Sequence, residues 1–228
     1  NDEWHLNETL NRVGRPPVWW LPPVLAKRRE LEATRGEGDY SRAISHHVRI
    51  SRYVRPIAVA EARQPEVTQA VEELLRFIDD NGTAGYYLPE VLHDVDPEGL
   101  VVPGLVVAFV AQATEAEQVR RLARIGDEYV AGTRIWEDIA KAVLRSPIVQ
   151  SEDIQRSMFS ALGGRGVTSW SGTPGEVPPV FLAEVESAKS SLAAAKDEGL
   201  RRYWAWRVGR AEADVREEQQ RAKEERGE

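Results

Sequence analysis

The sequence predicts an all-α protein: an irregular helical domain with an extended Pro/Trp-rich N-terminal arm and a long charged C-terminal helix. Three observations point there. Apolar residues recur at helical spacing in segment after segment. Capping residues and Pro/Gly punctuation separate those segments. The last fifty residues are dominated by Ala, Glu, Lys, Arg and Leu, all strong helix formers.

The N-terminal stretch GRPPVWWLPPVLAKRR places two Pro-Pro pairs around Trp19, Trp20 and Leu21. Proline removes backbone donors and biases the preceding residue to extended conformations, so an extended arm carrying aromatic anchors is expected. A short helix is expected from Val24 to Thr34, ended by Gly36 and Gly38. Asp39 can cap a helix running from about Tyr40 to Ala62, with Pro56 breaking it near Arg55. Pro65 opens the strongest helical pattern, with Val67, Ala70, Val71, Leu74, Leu75 and Ile78 on one face and Asn81-Gly82 as its stop.

Tyr86 to Val95 reads as a short helix and DVDPEG as a turn. The run Leu100 to Ala113 fits a buried strand or a buried helix; helical neighbours favour a helix opening at Pro103. Thr114 and Glu117 have capping-box spacing. Thr133 is expected to cap Arg134 to Arg145, with Pro147 ending it. Ser151 is expected to cap a helix with Ile154, Met158, Phe159 and Leu162 on one side. The organisation that follows is an arm and short helix (1–38), a helical body (39–162), a Gly/Pro/Ser-rich loop (163–179) and one long C-terminal helix (180–228).

That last helix begins with a narrow stripe of coiled-coil spacing, Leu182, Val185, Ala188 and Leu192. Further on, Leu200, Trp204, Val208 and Ala211 share a face, with Tyr203 and Trp206 on another. At about 100° per residue, Trp204 and Trp206 lie about 200° apart. Either the helix runs through a core or one Trp meets a partner, and the charged flanks favour the partner.

The chain has 228 residues, is 42% hydrophobic and 29% charged, and contains no Cys. Thiol catalysis, Cys-ligated zinc and disulfide scaffolds are excluded. No apolar run reaches the roughly 20 residues a spanning helix needs, and the acidic start NDEWHLNETL is no signal peptide, so a cytoplasmic protein without membrane contact is expected. The net charge is −7, unevenly spread. Residues 1–60 carry ten Lys/Arg against seven Asp/Glu, whereas residues 61–120 carry three against twelve. Such a balance disfavours general nucleic-acid binding.

The chemistry-bearing groups are sparse. Glu90-x-x-His93 has the spacing of one half of a di-iron helical site, but no second copy accompanies it, so no metal or cofactor is expected. Arg42, His46, Arg49 and Tyr53 share a helical stripe flanked by Arg52 and Arg55, which makes it a candidate contact for an anion or a nucleic acid. Gly163-Gly164-Arg165-Gly166 lacks phosphate-loop spacing, and Ser169 and Ser171 lack a nucleophile elbow. No nucleophile–base pair or carboxylate couple is evident.

The expectation is a non-catalytic structural or adaptor subunit that assembles with a protein partner or with itself through Trp19, Trp20, Tyr203, Trp204 and Trp206. The alternatives are a nucleic-acid-associated helical protein using Arg42, Arg49, Arg52 and Arg55, and a metal-dependent helical enzyme at Glu90 and His93.

Overall fold

In a computed structural model, the structure describes residues 10, 14–34, 51–79, 83–163 and 176–227. Among them there is no strand, and nine α-helices follow in order. They are α1 (Leu21–Thr34), α2 (Pro65–Leu75), α3 (Thr83–Val95), α4 (Val102–Gln112), α5 (Ala116–Asp127), α6 (Arg134–Arg145), α7 (Glu152–Gly163), α8 (Pro179–Ala194) and α9 (Glu198–Arg226). The all-helical class and the long C-terminal helix are as expected.

The arm turns helical sooner than its prolines suggest. Gly14 to Pro17 has no regular structure, Val18–Trp20 is a 3-10 turn, and α1 follows at once. Pro22 and Pro23 fall in the first turn of α1, where an N–H has no acceptor within the helix and its loss costs nothing. The turn aims Val18, Leu21 and Leu25 inward, each at most 2% exposed.

The helix expected across Tyr40 to Ala62 is not continuous. Its first eleven residues lie outside the described residues, and after the 3-10 turn Ser51–Tyr53 the backbone is irregular. Pro56 supplies the reason, because it has no N–H for a helical ladder. The flanking amides bond elsewhere: Arg55 N donates to Pro16 O at 3.0 Å and Ile57 N to Val95 O at 2.8 Å.

The body is built on α2 and α4 to α7. On α2, Val67, Ala70, Val71, Leu74 and Leu75 are all buried, as their spacing requires. Helix α4 begins with Pro103 in its first turn, which resolves the Leu100–Ala113 ambiguity in favour of helix. Asp96 organises its entry. The carboxylate is fully buried and accepts from Leu100 N, Val101 N and Val102 N at 2.7–2.8 Å. The amides of the N-cap and of the first helical residue, with the one before them, are thereby satisfied. Tyr129 Oη donates to the Asp96 carbonyl at 3.0 Å. Gly99 turns the chain at φ +61°, and the Ile135 side chain leaves no room there for a Cβ.

Thr133 caps α6 through Trp136 N, and Ser151 caps α7 through Ile154 N at 3.3 Å, both as expected. Thr114 is not a cap. Glu115 holds that position, and Thr114 N instead donates to Gln118 Oε1 at 3.1 Å. Glu117 is drawn to Arg120 and Arg121 rather than back to the helix start.

The single helix expected over 180–228 is two. It breaks at Ala195–Asp197, and α8 and α9 fold back on each other as an antiparallel hairpin. Asp197 makes the break: its carboxylate accepts from Leu200 N at 3.1 Å as the α9 cap and from Arg145 Nε at 3.1 Å. The stripe facing α9 begins at Phe181, which is buried, while Leu182 is half exposed. Phe181 and Val185 pack with Ala211 and Val215 in a small core of their own.

Candidate functional site

Trp19 and Trp20 stand at the corner where the 3-10 turn enters α1. The turn is closed by Trp20 N donating to Pro17 O at 3.1 Å. Because Val18, Leu21 and Leu25 are pinned in the core, the two indoles are held outward, 37% and 59% exposed, with Val24 one turn on and 42% exposed. Further along the chain, α1, the end of α2 and the 3-10 turn Arg76–Asp79 that follows it form a shallow groove of about 330 Å³. Pro22, Pro23, Ala26 and Phe77 make its apolar lining, and Arg29, Arg76 and Glu73 its polar rim. The sequence reading found the two indoles but not Val24, Phe77 or the groove. A helix begun at Leu21 puts Pro22, Ala26 and Arg29 on one side at helical spacing, but Phe77 comes from a separate part of the chain.

The other three aromatics expected at an interface pack against rings of this chain, Tyr203 and Trp204 buried and Trp206 half-buried. Tyr203 is 1% and Trp204 7% exposed. Both rings meet Trp136 on α6, with centroids 4.9 and 5.4 Å away. Trp206, half-buried, lies 5.7 Å from Phe159 on α7. Opposite faces of α9 are thus covered because the helix lies against both α6 and α7. Burial pushes the Tyr203 phenol up to about 12. Trp136 itself is fully buried, and its indole N–H donates to Leu162 O at 3.0 Å. Arg207 donates to the next carbonyl, Gly163 O, at 2.7 Å and pairs with Glu184.

Of the basic stripe, Arg42, His46 and Arg49 lie outside the described residues. Arg52 is exposed. Arg55 forms a two-pronged ion pair with Glu61, whose carboxyl is held below its usual range by that hydrogen bond. The pairing removes Arg55 from the cations open to an external anion. The Arg55–Pro16 backbone bond has a second effect. It sets the Ser51–Arg55 end of the basic stripe beside the segment of chain that leads into Trp19.

Glu90 and His93 share one side of α3, and the His93 ring stacks edge-on against Tyr129 at 5.2 Å. Among the described residues, no three His, Cys, Asp or Glu side chains are grouped to hold a metal ion. A polar groove of about 510 Å³ runs between α6 and the hairpin turn. Ion pairs line it: Lys141 with Glu137 and Arg145 with Asp197. The loop residues Gly164, Arg165, Gly166, Ser169 and Ser171 lie outside the described residues. Among the described residues no helix is long and apolar enough to cross a membrane.

No protein-family model, characterised protein or solved structure matches this chain.

Proposed function

We propose that this protein is a non-catalytic structural or adaptor subunit that joins a larger protein assembly through the Trp19–Trp20 corner. The observation that carries the reading is the pairing of a pinned inner face with a bare outer one. Val18, Leu21 and Leu25 fix the backbone, so the indoles are presented without loss of backbone freedom on docking. Exposed tryptophans on a rigid helix entry are the residue type that most often carries interface energy. Tyr203, Trp204 and Trp206 take no part; they secure the hairpin to the body. A cytoplasmic setting belongs to the proposal, and a chain with no Cys needs no oxidising compartment to fold.

The test is the solution mass of the protein in extract of its native host. The wild-type chain is expected to run in a complex well above 25.6 kDa. The Trp19→Ala/Trp20→Ala double variant is expected to run as a free chain with an unchanged thermal midpoint. A wild-type chain of 25.6 kDa in extract, or a double variant that stays in the complex, would defeat the proposal.

A further inference from the structure

Exposed arginines gather around the Trp19–Trp20 corner. The chain as a whole is acidic, at −7. Yet Arg15 precedes the corner, Arg52 is brought beside it by the Arg55–Pro16 bond, and Arg76 rims the groove, all three exposed. Arg29 stands on the same rim. Four carboxylates lie nearby, each engaged within the chain: Glu30 with Lys27 at 2.7 Å, Glu73 with the neutral Gln69 at 2.8 Å, Asp94 with Ser51 at 2.5 Å, and Glu61 with Arg55. The corner therefore combines exposed indoles, an apolar groove and a surplus of cations.

We infer that the partner at this corner is an acidic polypeptide segment bearing a large apolar side chain. The apolar side chain enters the groove over Pro22, Ala26 and Phe77, and the flanking carboxylates meet Arg15, Arg52 and Arg76. This deepens the assembly reading and rests on it. A nucleic acid fits less well, because three or four cations on a chain of net −7 give little of the phosphate neutralisation such binding needs. A short acidic segment needs only two or three charge contacts to set orientation, with the apolar anchor supplying most of the affinity.

The experiment uses the full chain and fluorescence anisotropy at low and physiological salt. The probes are a labelled twelve-residue peptide of Asp, Glu, Leu and Phe, its counterpart with Lys for every acid, a neutral counterpart with Ser, a single-stranded oligonucleotide, and phosphatidylserine-containing vesicles. The acidic peptide is expected to bind tightest. Its affinity should fall at least about tenfold in Arg52→Glu/Arg76→Glu, and that variant should now favour the Lys peptide. Equal binding of the acidic and Ser peptides, tighter binding of the oligonucleotide or the vesicles, or no peptide binding at all would overturn the inference. These outcomes leave the assembly reading standing if the Trp variants still release the chain in extract. If the Trp variants have no effect there, the assembly reading falls whatever the peptides do.

Discussion

The hydroxyl oxygen of Tyr203 on α9 occupies the space beside Gly163 at the end of α7: a Cβ built on Gly163 would lie 2.0 Å from it. The phenol is buried and packed against Trp136 and Phe159, so it has nowhere to retreat. Gly163→Ala should therefore lower stability by roughly 1–3 kcal/mol, as overpacking does. Adding Tyr203→Phe removes the offending oxygen and should recover most of the loss. Urea midpoints of the two single variants and the double variant measure the coupling.

Asp96 offers a sharper case of side-chain chemistry. Both carboxylate oxygens accept backbone amides, so Asp96→Asn must turn an NH2 group towards an N–H donor. We expect a loss of about 2–3 kcal/mol despite the near-identical shape. Equal thermal stability of Asn and Asp at this position would show that the helix start is satisfied another way.

Two tryptophans of one sequence should behave oppositely. Trp204→Ala empties a site in the core and should cost about 3–5 kcal/mol. Trp20→Ala touches an exposed ring and should shift stability by no more than about 0.5 kcal/mol. Thermal melts of the pair separate anchors of the fold from anchors for a partner.

Acid should act through Glu117. The side-chain hydrogen bond from Arg120, joined by one from Arg121, lowers its carboxyl from 4.5 to about 2. A depressed folded value means the stabilisation is complete above pH 4.5 and vanishes as the pH falls through about 2. The side chain is 47% exposed, so solvent screening limits the contribution to below about 1 kcal/mol. Glu117→Gln should be slightly less stable than wild type at neutral pH, with the gap narrowing as the pH falls from 4.5 towards 2. Urea midpoints across pH 2–7 record it.

Much of the fold is legible in the residues, for identifiable reasons. The α2 face, the Thr133 and Ser151 caps and the Pro103 opening of α4 depend on neighbours within one or two turns, and local spacing encodes them. The Asp197 break was equally local: Lys196-Asp197-Glu198 is a cap followed by an acidic first turn, hidden by a run of good helix formers on both sides. The burial of Tyr203 and Trp204 is not legible locally because it depends on Trp136 and Phe159, dozens of residues away. The docking corner was half visible. Two indoles can be read from a sequence, but the groove needs Phe77 from the 3-10 turn after α2, and the nearby cation Arg52 arrives through a bond between Arg55 and Pro16.

The hairpin's separate little core has a consequence for local opening. Near its turn, α9 is held by Leu200, Tyr203 and Trp204 in the main core; further along, among the described residues, Phe181, Val185, Ala211 and Val215 form a separate small cluster with Val177 against it. Free energies of opening follow such contact density. Amide hydrogens around Tyr203 should exchange with deuterium only as slowly as the body unfolds, while those past Ala211 escape earlier, so one continuous helix would belong to two cooperative units.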